Sequence, residues 1–308
     1  MSTDLLGLFD NGVETLLPMA AEQTDLSQDA LSRLDKTGLV FAIVKAQSNQ
    51  DGSLYGVGVL ETHPEGFGFL RAASANFLPG PDDIYVSQSQ IRRFLLRTGD
   101  TIIGIVRPPK EGERYTALLR VESVNGTDPS VESPTFDNLT AIHPDDAIDI
   151  GSDPTLAVIQ AVAPLGLGHR GLIVAPRKTG RVAILQKLTN TLLREDDLHV
   201  TVLLTAAPAE EIQDWRTATH AEVIATPLDE PQGRHLAAAD IVFQRGRRQA
   251  ENGENTVIIV DSLSRLARAC LAEITHTGRD ISGIDAAALL RIRQYMGSAR
   301  ALEEGGSL

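Results

Sequence analysis

Cysteine is almost absent from this chain. Cys270 is the single one among 308 residues, which excludes an internal disulfide and any zinc site built on several thiolates. It lies in RLARACLAEI and reads as a buried helical position. Aromatic residues are scarce at 4%, so any that fall close together carry information. The seven histidines show neither H-x-x-x-H nor H-E-x-x-H spacing, and no metal site made of protein side chains alone is expected. No stretch approaches eighteen uncharged apolar residues, and the opening MSTDLLGLFDNGVE is acidic where a secretory leader is basic. The expectation is a cytoplasmic chain without a membrane segment.

Positive charge is also in short supply, with a net charge of −13. The deficit is local. Acidic residues outnumber basic ones 8 to 3 over residues 1–52 and 6 to none over 127–152, but the count is 8 to 8 over 53–126 and 19 to 17 from 153 onward. A neutral segment containing QIRRFLLRTGD can present a basic face, so overall acidity does not exclude RNA as a partner.

Hydrophobic residues make up 42% of the chain, enough for two domains with cores of their own. Composition and period divide it into four regions. Residues 1–52 carry helical patterns, the better one being DLSQDALSRLDKTGLVFAIVKAQ, and predict a small helical domain. Residues 53–126 switch to short β-rich runs, among them YGVGVLETH, GFGFLRAA and DTIIGIVRPP, separated by Gly, Pro, Asp and Asn. They predict an OB-type β-barrel, a fold whose strand face and loops bind single strands. Residues 127–152 are acidic and aperiodic and read as a linker. From 153 to 308, GLIVAP, HVTVLLTAA, AEVIATP and NTVIIVDSL are each followed by a helical pattern, the alternation of a parallel, doubly wound α/β domain.

Within the barrel region, GFGFLR sets Phe67, Phe69 and Arg71 two apart and hence on one side of a strand. Two aromatics and a guanidinium in a row make a stacking platform for unpaired bases. The same spacing suits two Phe packed in the barrel interior. Glycines on both sides of Phe67 favour the surface, because they let a base come close. EGERY adds Tyr115 for stacking, Glu113 to accept from a cytosine amino group and Arg114 for phosphate or base; an ordinary exposed hairpin has the same composition.

In the last region, IVAPRKTGRVAIL has the layout of a phosphate-binding loop: an apolar run, a Gly-bearing turn, then helical spacing. A working loop of this kind ends in a Lys for the β/γ-phosphates and a hydroxyl for Mg²⁺. Arg181 and Val182 stand there instead. Downstream, VIIVDSLSRLARA runs from four apolar residues into Asp261, the strand-then-carboxylate order that holds Mg²⁺ beside such a loop. Together they point to a RecA-like NTPase core.

These segments resemble the bacterial transcription termination factor Rho family over essentially the whole chain, most weakly before residue 36 and from 127 to 155. The most specific stretch runs from GFGFLRAASANFLPGPDDIYVSQSQ to EGERYTALLRVESVN; PLGLGHRGLIVAPRKTG, ATPLDEPQGRHLAAADIVFQRGRR and GIDAAALLRIRQYMGSARALEEGGSL continue it in order. The resemblance implies that Phe67, Phe69, Arg71, Asp83, Tyr85, Lys110, Glu113, Arg114 and Tyr115 line a site for pyrimidine-rich single-stranded RNA. It implies that Arg279 is a basic RNA contact in a central-channel loop. His63 stands where the family usually has an apolar residue. Lys178, Thr179, Gly180, Arg181, Asp261 and Arg265 fall at nucleotide-binding places, with ATP as the implied cofactor and Asp261 the place for Mg²⁺.

The chain departs from the family where hydrolysis needs it most. Its loop reads APRKTGRV against a family pattern like APPKAGKT, and arginine's planar head misfits a site shaped for an ammonium while valine cannot ligate a metal. Ala206, Ala207 and Pro208 cover the places of the water-activating Glu and its neighbours. Losing the metal hydroxyl and the carboxylate each costs orders of magnitude in rate, so Arg181, Val182 and Ala207 mark a degenerate catalytic set. The chain also stops before the family's remaining core strands, and an incomplete sheet with an open apolar edge is expected. Three readings stand: an RNA-binding protein with an inactive motor domain, self-associating or joining a ring with full-length Rho; an RNA-dependent ATPase working through a modified loop; and a non-functional fragment of a gene copy.

Overall fold

Alternating residues between 54 and 124 close a barrel in the computed structural model, which describes residues 5–9, 11–32, 34, 36–51, 54–151, 153–176, 179–195, 197–273, 280–281 and 284–308. The chain forms two compact units, Met1–Ser133 and Pro134–Leu308.

The first unit begins with helices α1 (Leu5–Phe9), α2 (Val13–Gln23), α3 (Gln28–Leu31) and α4 (Lys36–Asp51). The long helical pattern expected across residues 25–47 is divided, with Ser27 accepting a bond from the Ala30 N–H to cap α3. Strands β1 (Leu54–Thr62), β2 (Gly68–Arg71) and β3 (Ile84–Val86) follow, then α5 (Gln88–Arg93), β4 (Thr101–Arg107) and β5 (Thr116–Val124). The strands pair in the order β1-β2-β3-β5-β4 and β4 returns to β1. All contacts are antiparallel except β3 with β5. This is the five-stranded closed OB-type barrel that the period-2 runs predict.

Leu60, Leu70, Ile84, Val86, Ile102, Val106, Leu118 and Val121 form its core, with irregularities in the β4–β5 ladder shifting the alternation along β5. Burying each such side chain contributes about 1.5–3 kcal/mol. The helices are not a domain apart. Leu16, Leu31, Leu39, Ile43 and Val44 share a second core with Ile103 of β4, with Tyr55 and Val57 of β1 packed against it.

The second unit opens with β6 (Ala141–Ile142), α6 (Pro154–Val162) and α7 (Arg181–Leu192). It continues through β7 (Leu198–Ala207), α8 (Ala209–Ala218), β8 (Glu222–Pro227), α9 (Gln232–Glu251), β9 (Asn255–Asp261) and α10 (Leu263–Glu273). The short β10 (Asp280–Ile281) and β11 (Ile284–Asp285), then α11 (Ala286–Gly297) and β12 (Ala301–Leu302), complete it. β7 lies between β8 and β9, all parallel. Val200, Val202, Leu204 and Ile259 pack with Leu188 and Leu192 of α7 and with the buried Ile212 and Trp215 of α8. Gly246 of α9 sits against Thr256 and Ile258 on the other side of β9, so helices cover both faces, as a parallel sheet requires.

Two expectations need correction. GLIVAP forms no strand: residues 171–176 make no ladder, and Leu172 and Val174 are exposed. An apolar run becomes a strand only where it pairs with a neighbour, and the side of β9 away from β7 is met by Ser307, whose carbonyl accepts from the Thr256 N–H at 2.9 Å, and not by these residues. The acidic stretch is not a linker throughout. Phe136 is buried against Ala250, Leu302 and Leu308, Ile150 joins the main core of this unit, and β6 pairs with β12. The last residues turn back on themselves, with Arg300 and Leu308 exchanging backbone bonds at 2.8 and 3.0 Å; on the side of β9 away from β7 they pair only with its start, through Ser307.

Candidate nucleic-acid interface and nucleotide site

Along β2 and β3 the core residues Leu70, Ile84 and Val86 point inward, which leaves Phe69, Arg71 and Tyr85 on the outer side. Pairing places Phe69 directly between Glu61 of β1 and Tyr85 of β3. The rings meet there. Phe69 is 5.7 Å from Phe67, 6.0 Å from Tyr85 and 4.9 Å from Tyr115, centroid to centroid, and Phe67 is 5.8 Å from Tyr85. All four are partly exposed and none belongs to the barrel core, so the platform is an outer surface. The glycines beside Phe67 serve the backbone instead of a visiting base. Gly66 turns the chain at φ +92°, and a Cβ on Gly68 would meet the Glu61 carbonyl at 2.7 Å.

Arg71 and Asp83, expected at the RNA surface, are buried and paired. The Arg71 guanidinium binds Asp83, reaches Glu61 Oε2 at 2.7 Å, and lies 5.1 Å over the Phe69 ring. Asp83 also accepts from the Gly80 N–H at 2.8 Å. Opposite charges held together by several hydrogen bonds offset the cost of burying them. The pair therefore braces Phe69 and the start of β3 from behind.

The far end of the platform opens into a cleft of about 360 Å³ lined by Tyr85, Ser87, Arg107, Glu113, Arg114, Tyr115 and Leu119. That is the small end of the range for ligand clefts. Glu113 is clamped by Arg107, with bonds of 2.5 Å from Nη1 to Oε2 and 2.9 Å from Nη2 to Oε1, and it accepts the Lys110 N–H at 3.0 Å. These bonds hold its carboxyl well below the usual range, at about 2. Oε1 accepts one of the bonds and keeps a second lone-pair direction for a ligand donor. Arg114 lies 5.4 Å from the Tyr115 ring and is exposed, as is Lys110. Ser87 and Gln90 form a reciprocal cap on α5, and Gln90 Nε2 donates to the Leu118 carbonyl at 3.0 Å, fixing the cleft floor.

Sequence reasoning overlooked Arg107 and Glu61. Arg107 was findable, since a hairpin turn at PPKEGE returns Glu113 opposite a residue six positions earlier; Glu61 depends on the β1–β2 register.

In the second unit Gly180 adopts φ +87° and begins α7 with Arg181. Thr179 Oγ1 donates to the Pro176 carbonyl at 2.7 Å. Arg181 reaches across to Asp261, Nη2 to Oδ1 at 2.8 Å, where the carboxylate is fully buried at the end of β9. Burial pushes the Asp261 carboxyl above its ordinary value and Arg181 opposes the rise. Val182 packs against the main core, and Ala207 is wholly buried. Arg265 is engaged by Glu211 of α8 in a two-pronged pair of 3.0 and 2.9 Å, a partner that sequence reasoning missed because nothing in spacing links α8 to α10. Lys178 and Arg279 lie outside the described residues.

This donor set does not fit Mg²⁺. Its carboxylate already faces a guanidinium, and the adjoining hydroxyl place holds a valine packed into the core. Among the described residues no group of three or more His, Cys, Asp or Glu is placed to hold a metal, and no helix is long and apolar enough to cross a membrane.

Residues 56–130 match the family model described as Rho termination factor, RNA-binding domain. The chain is 43% identical over 314 residues to transcription termination factor Rho of Haemophilus influenzae, covering 99% of this chain and 74% of that protein. It is 44% identical to Rho of Pseudomonas aeruginosa, covering 90% and 69%, and 42% identical to Rho of Escherichia coli, covering 92% and 70%. Among solved structures, an ATPase of a bacterial type III secretion system aligns at 17% identity and a TM-score of 0.46, covering 56% of this chain and 49% of the other.

Proposed function

The chain belongs to the transcription termination factor Rho family, and on that ground we propose that it captures pyrimidine-rich single-stranded RNA on the barrel without hydrolysing ATP. The observation that carries the reading is the run of four rings, Phe67, Phe69, Tyr85 and Tyr115, leading into a cleft whose polar groups are Glu113, Arg107 and Arg114. A base stacks on Tyr85 or Tyr115 and presents its polar edge to Glu113. An ionised carboxylate accepts only, so it favours the amino group of cytosine over the carbonyl of uracil at the same place. Arg114 and Lys110, at the rim, meet the phosphates and give binding its salt dependence.

The second unit supports the inactive half of the proposal. ATP with Mg²⁺ supplies a phosphoryl group activated by metal charge; here Arg181 engages the carboxylate that metal needs, and Val182 offers no ligand. The remaining part of the reading is association with full-length Rho of the same cell. Co-purification of the two chains with reduced termination supports it, and separate elution on sizing in the presence of RNA removes it.

The first test is binding of fluorescent oligo(C) RNA across a salt series, with and without ATP and Mg²⁺, with phosphate release followed in the same samples. Salt-sensitive binding indifferent to ATP, with no phosphate released, is expected. RNA-dependent phosphate release overturns the inactive-motor reading. A variant carrying Arg181→Lys, Val182→Thr and Ala207→Glu sharpens the result: a gain from a blank baseline agrees with a lost activity, whereas a wild-type rate that the three changes leave unaltered shows a working modified loop.

A further inference from the structure

Between β1 and β2 the chain reverses over His63–Phe67, with the His63 N–H donating to the Phe67 carbonyl at 2.7 Å and the Gly66 N–H to the His63 carbonyl at 2.8 Å. The reversal sets two rings side by side. His63 stacks on Phe67 with centroids 4.7 Å apart and planes 14° from parallel. It is the one near-parallel contact among the rings of the platform; the remaining pairs are tilted or edge-on. Phe67 is thus flanked by Phe69 and Tyr85 and faced by an imidazole. His63 itself is exposed.

The chemistry of the ring is also fixed. Its Nδ1 accepts the Glu65 N–H at 3.4 Å, so in the neutral ring the hydrogen resides on Nε2. Nothing in the described residues pairs with that donor.

We propose that His63 is a further base-binding residue: its ring ends the stack begun by Phe67 and receives an unpaired nucleobase beside the one held at Tyr85, with Nε2–H donating to that nucleotide. The inference rests on the RNA-binding reading above and adds to it a residue at the opposite end of the platform from the cleft. An aliphatic side chain at residue 63 covers Phe67 equally well, yet it offers neither a π-face nor a donor. Imidazole offers both, and stacking of this kind tolerates any base because every base has a π-face.

The test uses the full chain and short oligo(C) RNAs carrying 2-aminopurine at one position at a time, whose fluorescence falls on stacking. Four proteins are compared: wild type, His63→Ala, His63→Phe and Tyr85→Ala. His63→Ala is expected to weaken binding about fivefold or more and to restore fluorescence at one terminal position while leaving quenching elsewhere. His63→Phe is expected to keep the quenching and recover only part of the affinity, separating ring from donor. Wild-type affinity and quenching in His63→Ala, alongside lost binding in Tyr85→Ala, overturns the proposal and leaves the RNA-binding reading intact. Unchanged binding in Tyr85→Ala overturns that reading itself, and this one with it. His63 is exposed, so circular dichroism matching wild type is expected and keeps each outcome interpretable.

Discussion

Arg71 in the barrel and Arg181 in the second unit make the same interaction with opposite consequences. Each guanidinium meets a buried carboxylate, Asp83 in one case and Asp261 in the other. Behind the aromatic platform, the Arg71 pair neutralises itself one layer beneath the contact surface and supports Phe69 from below, so Tyr85, Tyr115 and the Glu113 edge remain open to a ligand. At the start of α7, Arg181 meets an Asp261 carboxylate that is fully buried at the end of β9, and under the proposed reading each partner uses the charge that a nucleotide or Mg²⁺ would require. An ion pair behind a binding surface organises it; one formed from a site's own charges consumes them.

The comparison can be broken most severely at Arg71. Removing it with Arg71→Ala leaves Asp83 buried without its counter-ion, and a loss of about 3–5 kcal/mol in the stability of the first unit is expected, measured by urea unfolding followed through circular dichroism. Arg71→Lys is expected to recover only part of it, because an ammonium cannot engage Glu61 and Asp83 in the guanidinium's forked geometry. Arg181→Ala should cost less, about 2–3 kcal/mol, since Arg181 is 28% exposed and its field is partly screened. Trp215, the only tryptophan in the chain and fully buried, reports the second unit directly through its fluorescence.

The pH dependence of that second loss has a definite sign. Burial raises the folded-state pKa of Asp261 above its ordinary value, so between the ordinary and the raised value the folded protein holds a proton that the unfolded chain has released. The stability that Asp261 contributes is complete below the ordinary carboxyl range and is lost as pH rises through the raised value. Without Arg181 the rise goes unopposed and the window widens upward. The penalty of Arg181→Ala should therefore be larger at pH 8 than at pH 5, and an equal penalty at both would show that Asp261 is not the group responsible.

Binding effects come next in size. Tyr85→Ala should reduce oligo(C) affinity about tenfold, in the range for one lost base stack, without altering Trp215 unfolding. The smallest expected change is at Arg107, whose contact with Glu113 is exposed: Arg107→Ala should weaken oligo(C) binding by less than about fivefold. Its clearer signature is in pH. Glu113 is held at about 2, so its charge and the order it gives the cleft are present above the ordinary carboxyl range and fade only as pH falls toward that value. In Arg107→Ala the carboxyl returns toward its ordinary range and discrimination of oligo(C) over oligo(U) should fade at a higher pH than in wild type.

Much of this was legible in the chain of residues. The period-2 runs between 54 and 124 specify a barrel because one side of each strand must bury Leu60, Leu70, Ile84 and Val86, which leaves Phe69 and Tyr85 outside. The rings of the platform were likewise readable, although spacing alone left open which side of the barrel they occupy. GLIVAP was misleading for the converse reason. Its apolar residues have strand propensity, but a strand is a pairing, and propensity carries no information about which edge is vacant. The acidic stretch after 126 deceived in the other direction: one Phe136 in a polar context gives no periodic signal, yet it is fixed by Leu302 and Leu308 more than 160 positions away.

By itself the sequence determined the family, the barrel, the aromatic residues of the platform and the presence of Arg181 and Val182 where the family's loop has a lysine and a hydroxyl. All of these rest on residue identity and local period, which are properties of neighbours along the chain. Only the tertiary structure decided that Arg71 and Asp83 brace the platform instead of forming its surface, that Arg107 sets the charge of Glu113, and that Arg181 meets Asp261. Charges act through space, and their partners come from other strands and helices at separations that the order of residues does not specify.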